Sequence, residues 1–291
     1  MRKPNFFIVG APKCGTTSLA TWLGQHPEIF MSSAKEPHFF NTDDKRTVET
    51  VEHYERFFEN ASPVHRAVGE ASVWYLSSSQ AASQILGYAP DARLIVMFRN
   101  PIEMAPALHA EMLYTGIENV KDFIEAWHLQ EERRRGRRLP AFCWVPRRLY
   151  YGEVCSLGAQ LDRLLSKIPA RQILTIVLDD VQRDARQEYL RVLEFLGVAD
   201  DGRMEFPVYN AAKIRRWAFL PRLTNVILDV KRQLGIRGGL GLWTLIDSAN
   251  QMGRRRNSLP PEFVAELKRY FKEDVVRLGQ LLRRDLNVWV T

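Results

Sequence analysis

Cysteine is scarce in this 291-residue chain, which carries only Cys14, Cys143 and Cys155. Three thiols are too few for a disulfide framework and lack the paired spacing of a zinc site, so they point to packed or inert side chains in a reducing, cytoplasmic setting. Long apolar runs are also missing. The N-terminal Met1-Arg-Lys-Pro-Asn leads straight into a short apolar strand, too short for the apolar region of a signal peptide or for a membrane-spanning helix. There is no internal repeat and no low-complexity tract.

What is present is ordinary globular composition, 46% apolar and 26% charged, which supplies a full core. The length suits one large domain over residues 1–291. A formal net charge of +7 favours anionic partners: nucleotides, nucleic acid, acidic glycans or anionic lipid surfaces. The basic residues cluster at Arg133 to Arg138, Arg147 with Arg148, Lys213 to Arg216 and Arg254 to Arg256. No recognised module or aromatic stacking motif accompanies them, which argues against nucleic acid.

Hydrophobic patterning predicts strands alternating with helices. Asn5 to Val9 is a continuous apolar run ended by Gly10, and Thr16 to Gln25 shows helical spacing of Leu19, Trp22 and Leu23. Ala67 to Gly69, Arg93 to Phe98 and Ile173 to Leu178 read as further strands, the second followed after Pro101 by a helix. Val154 to Ile168 is amphipathic, Asp184 to Leu196 reads as a helix stopped by Gly197, and Pro260 to Leu286 returns to a charged amphipathic helix. This alternation predicts an α/β fold of three layers, a central parallel sheet with helices on both faces, whose ligand sits beyond the carboxyl ends of the strands. Residues 213–256 break the pattern, mixing basic side chains with Trp217, Phe219, Leu220 and Trp243 and the Gly-rich stretch from Gly235 to Gly241. They read as an insert or lid whose aromatics line a hydrophobic acceptor site, rest on a membrane surface as a peripheral contact, or simply pack.

The first strand runs into Gly10-Ala-Pro-Lys13-Cys14-Gly15-Thr16-Thr17-Ser18-Leu19. Glycine, lysine and hydroxyl residues ahead of a helix N-terminus make a P-loop-like phosphate cradle: backbone N–H groups and the helix dipole face the anion, and lysine adds a mobile charge. A Walker A loop demands lysine at position 16, but Thr16 is there and the lysine stands earlier, at 13. That placement argues against magnesium-dependent phosphoryl transfer, though not against phosphate.

The segment FIVGAPKCGTTSLATWLGQHPEIF resembles the 5′-phosphosulfate loop and first helix of sulfotransferases that use 3′-phosphoadenosine 5′-phosphosulfate (PAPS). The later KEPHFF is similar to the Glu-x-His-Phe-Phe element of heparan-type glycan sulfotransferases, matched by Glu36, His38, Phe39 and Phe40. The resemblance implies that Lys13, Cys14, Gly15, Thr16, Thr17 and Ser18 hold the donor's sulfate end. It makes Lys13 the stabiliser of charge on the leaving phosphate and Glu36 the base, with His38 assisting; the reverse assignment stays open. RLIVMFRNP, Arg93 to Pro101, resembles the first half of the family's 3′-phosphate element, making Arg99 its arginine.

The chain departs from the family at several points. Ala107 stands where a serine is expected, Met104 where arginine is frequent, and Ala71 where glycan enzymes can carry lysine. His109 is a nearby donor that offers a replacement for the missing serine hydroxyl. Gly253 to Asn257 resembles the family's basic nucleotide-closing loop, adding Arg254 and Arg255 to the donor-binding set. The implied activity is in-line sulfuryl transfer to a hydroxyl or amine of an acceptor, whether carbohydrate, lipid or natural product, with no metal. Two readings compete: a P-loop nucleotide or small-molecule kinase, which needs a magnesium-binding acid such as Asp179 or Asp180, and a non-catalytic relative that binds anions or glycans.

Overall fold

The computed structural model describes residues 2–44, 48–141, 143–209, 213–215, 251–253 and 258–291. The chain divides into two compact units, one of Met1–Met104, Ser156–Tyr209 and Lys268–Thr291, the other of Ala105–Cys155 and Asn210–Leu267.

The first unit is built on a sheet of five strands, β1 (Phe6–Gly10), β2 (Ile29–Met31), β3 (Ala67–Ala71), β4 (Arg93–Phe98) and β5 (Ile173–Val177). Their order is β2-β3-β1-β4-β5, and each neighbouring pair is parallel. Phe6, Phe7 and Ile8 of β1 and Leu94, Ile95 and Val96 of β4 are all 0% exposed, which is why these strands read as unbroken apolar runs. The expected α/β fold, parallel sheet and surrounding helices are therefore present. The details differ at the margins. β3 runs to Ala71, beyond the expected Gly69. β2 was not expected, because three residues are too few to show a period. β5 ends at Val177, and Leu178 instead opens the helix Leu178–Arg183.

Local chemistry sets the helix ends. The Asp184 carboxylate accepts from Gln187 N at 2.9 Å, capping Ala185–Leu196, and Gly197 ends that helix at φ 69°. Asp274, on the helix Pro261–Leu282, accepts from Gly158 N and Ala159 N, each at 2.8 Å, and so caps Leu157–Leu165.

The second unit packs the helices Phe123–His128, Gln130–Arg134 and Tyr151–Cys155 around the rings of Phe123, Trp127, Tyr151 and Phe263. Inside it the Arg133 guanidinium donates to both oxygens of Glu118 at 2.7 and 2.8 Å, and Tyr151 adds a third donor at 2.7 Å. Burial alone would push the Glu118 carboxyl up, but the bonds from Arg133, Val120 and Tyr151 hold it below its usual range.

Of the predicted insert, Lys213–Arg215 and Gln251–Gly253 form an antiparallel pair. Its aromatics, its glycines and the donor-binding candidates Arg254 and Arg255 lie outside the described residues. Among the described residues no helix is long and apolar enough to cross a membrane.

Candidate active site

In a parallel sheet the loops after successive strands gather along one edge, at the carboxyl ends. The candidate donor and catalytic residues of the first unit lie in such loops or, for Thr16, Thr17 and Ser18, in the first turn of the helix that follows one. The first is the turn between β1 and helix α1 (Thr16–Leu23). Gly10 has φ 147°, and a Cβ there would meet Val73 O at 2.8 Å and Leu76 Cβ at 2.9 Å, so only glycine allows the chain after β3 to lie this close. Gly15 has φ 91° and directly precedes α1. The helix starts with no side-chain cap and no acidic residue in its first turn, conditions under which its N–H groups and dipole favour an external anion.

Within that loop the predicted residues divide by what they touch. Lys13 sits at φ 63°, partly exposed. Cys14 is 0% exposed, with Sγ 3.9 Å from Met104 Sδ, and burial pushes its thiol up to about 12, so it stays a neutral packing group. Met104, the departure from arginine, is thus core against Cys14. The Ser18 hydroxyl accepts from Tyr209 N at 3.0 Å and donates to Tyr209 O at 3.4 Å, which commits it to the backbone. Thr16 is 4% exposed at the helix start.

Arg99 follows β4 directly. Its Nη1 donates to Lys13 O at 3.2 Å and its Nη2 to Glu103 Oε2 at 2.7 Å, while its Nε is buried without a partner. The guanidinium therefore pins the lysine-bearing turn and keeps one buried donor in reserve. Ala107 belongs to the second unit and is 8% exposed. His109, the proposed substitute donor, is 1% exposed and donates through Nε2 to Val120 O at 2.9 Å, so that nitrogen is already engaged within its own unit.

Glu36 and His38 follow β2, and the structure brings them together: His38 Nε2 lies 3.2 Å from Glu36 Oε2. Glu36 keeps 31% of its side chain exposed against 10% for His38, and His38 Nδ1 is buried without a partner. Both sit at positive φ, 51° and 50°, a region that non-glycine residues rarely occupy and that concentrates at functional sites.

Sequence reasoning missed the residues beneath this pair. Glu70, at 0% exposure in β3, accepts from Ser72 Oγ at 2.5 Å, Tyr75 OH at 2.7 Å and Tyr54 OH at 3.1 Å. Burial pushes its carboxyl up, and the hydroxyl bonds and the charge of His38 only partly offset that. The available signal was a carboxylate inside the apolar strand AVGEA with Ser72 and Tyr75 just beyond.

The acids that a kinase would need are used otherwise. Asp179 accepts from Trp289 Nε1 at 3.0 Å, and Asp180 is paired with Arg183 and Arg284.

Fold and site together define an α/β protein with a glycine- and lysine-bearing turn leading into an uncapped helix after its first strand, and a carboxylate–imidazole pair on the same sheet edge. The family model for the sulfotransferase domain matches residues 3–279, and the chain belongs to that family. It is 29% identical over 251 residues to human carbohydrate sulfotransferase 15, covering 67% of this chain and 44% of that protein. It is 32% identical over 102 residues to a membrane-associated sulfotransferase of Dictyostelium discoideum, covering 34% of this chain and 21% of that protein. The chain thus spans less than half the length of these relatives. A sulfotransferase crystal structure from Alicyclobacillus acidocaldarius superposes with a TM-score of 0.73 at 28% identity, covering 100% of both chains.

Proposed function

We propose that this protein transfers a sulfuryl group from PAPS to a hydroxyl of a carbohydrate acceptor, in the cytoplasm. The observation that carries the reading is the Glu36–His38 pair, held at 3.2 Å on the sheet edge where the uncapped helix α1 and Lys13 form the anion cradle. The carbohydrate acceptor is supported by the likeness to a relative named for carbohydrate sulfation. The cytoplasmic setting is supported by three cysteines that form no disulfide.

The residues present fit the donor. An uncapped helix N-terminus, a lysine and the unpartnered Arg99 Nε are complementary to an anionic nucleotide. PAPS supplies a sulfuryl group on a good leaving phosphate, and the protein supplies position and charge. Glu36 takes the acceptor hydroxyl's proton as the oxygen–sulfur bond forms, and His38 holds that carboxylate. Lys13 neutralises the charge left on the departing phosphate as the sulfur–oxygen bond breaks. Arg99 steadies the Lys13 turn through its carbonyl and takes the 3′-phosphate.

Donor binding is tested with adenosine 3′,5′-bisphosphate, the product left after transfer. At a hundred times its Kd it should stabilise the fold by about 2.7 kcal/mol in thermal unfolding, and Lys13→Ala should lose most of that gain. No stabilisation by the nucleotide, alongside stabilisation by sulfated glycans, would favour a glycan-binding relative without transfer.

A further inference from the structure

The turn that carries Glu36 and His38 has two residues at positive φ, and something must hold it there. The structure shows what does. His38 N donates to Ser72 Oγ at 3.0 Å, while Phe39 N and Phe40 N donate to the single hydroxyl of Tyr75 at 2.9 and 3.3 Å. A hydroxyl has one proton and two lone pairs. Both hydroxyls give their proton to Glu70, Ser72 to Oε2 and Tyr75 to Oε1, which turns their lone pairs toward the backbone of the catalytic turn. Burial, and then the charge of Glu70, push the Tyr75 phenol well above its usual value, so it remains a donor to the carboxylate.

We propose that Glu70, Ser72 and Tyr75 are positioning residues for the catalytic pair: one buried carboxylate orients two hydroxyls that together accept three successive backbone N–H groups of the turn. This rests on the assignment of Glu36 and His38 made above. Glu70 makes no ion pair among the described residues, and the groups that hydrogen-bond its buried carboxyl are the three hydroxyls of Tyr54, Ser72 and Tyr75. An apolar residue there would be easier to bury. The aromatic residues of the same turn join the cluster: Phe39 stacks on Tyr54 at 4.7 Å, Phe40 meets the edge of Tyr54 at 5.2 Å, and His38 lies edge-on to Tyr75 at 6.2 Å. Tyr54 in turn gives its own hydroxyl proton to Glu70. The cluster is tied to the anion cradle as well, since Ser72 N donates to Ile8 O at 3.1 Å and Leu76 N to Val9 O at 2.8 Å. One carboxylate thereby sets the acceptor-side base against the end of the strand that feeds the donor loop.

The test compares Tyr75→Phe, Ser72→Ala and Glu36→Ala with wild type. Each is assayed with labelled PAPS and a mixed pool of unsulfated polysaccharides, lipids and phenols, and amide hydrogen exchange is followed at residues 38 to 40. Tyr75→Phe should speed exchange at Phe39 and Phe40, and Ser72→Ala at His38. Each should lower kcat roughly tenfold or more, because the base leaves its attack geometry, with the KM for PAPS changed less than about twofold. If one variant fails to fold, the other carries the test, since each removes a different hydroxyl. Full kcat in both variants, with transfer abolished by Glu36→Ala, would overturn the positioning role and leave the site assignment standing. A rise in donor KM as large as the fall in kcat would mark a purely structural role and overturn it too. Undiminished transfer by Glu36→Ala would remove the site assignment and this proposal together.

Discussion

Two deeply buried carboxylates, Glu70 in the first unit and Glu118 in the second, face the same problem and meet it in opposite ways. Glu118 has a bidentate guanidinium in contact, and its carboxyl is held below the usual range. Glu70 has three hydroxyls and no arginine, and burial leaves its carboxyl raised. A cation neutralises a buried charge, whereas hydroxyls only solvate it and pass its orientation on to what they touch. The first arrangement suits a core that must stay assembled. The second suits a site, where a residual charge and fixed lone pairs direct other groups.

The largest expected effect lies on the Glu118 side of this contrast. Glu118→Ala leaves the Arg133 guanidinium buried without its partner and should cost about 3–5 kcal/mol in chemical denaturation. A loss under about 1 kcal/mol would mean that the guanidinium finds water or another acceptor.

Next comes pH, where the two groups carry opposite signs. A lowered carboxyl contributes stability that is fully present above its unfolded value, near 4.5, and is lost as pH falls through the folded value. A raised carboxyl does the reverse: it weakens the fold above its folded value, and that cost fades as pH falls toward 4.5. Unfolding free energy measured from about pH 2 to 8 should therefore lose part of its acid-side decline, below about pH 4.5, in Glu118→Gln. In Glu70→Gln it should lose part of its decline toward neutral pH. Profiles parallel to wild type in both variants would remove the contrast.

The smallest effect expected is on the stability of Glu70→Gln at neutral pH, within about 1 kcal/mol of wild type or slightly above it, since a carboxamide is easier to bury. A loss of several kcal/mol would show that the charge of Glu70 holds the fold and not only the turn.

The difference between the two regions also explains what the sequence disclosed. β1, β4 and the turn at residues 10–15 were legible because sheet burial leaves dense apolar runs and a phosphate-type turn needs glycine, lysine and a helix start in sequence. Glu36, His38 and Arg99 came from the likeness of short motifs to a known family, and the fold then placed the first two in contact. The Glu70 cluster was hidden because its members, Tyr54, Glu70, Ser72 and Tyr75, come from a helix, a strand and the loop beyond it, and no periodicity links them. The Glu118–Arg133 pair was hidden for a related reason: Arg133 reads as one of a run of surface arginines, yet it is 1% exposed. Ser18 shows another contact that the sequence did not disclose: its hydroxyl bonds to the backbone of Tyr209, which is 191 residues away.

The most direct measurement of the central claim is sulfuryl transfer itself. Purified protein is incubated with labelled PAPS and a pool of unsulfated acceptors, the labelled product is identified by mass, and the rates of wild type, Lys13→Ala and Glu36→Ala are compared. Transfer by the wild type, reduced roughly 100-fold or more in each variant, is the predicted result. Transfer that continues undiminished in both variants would contradict the account.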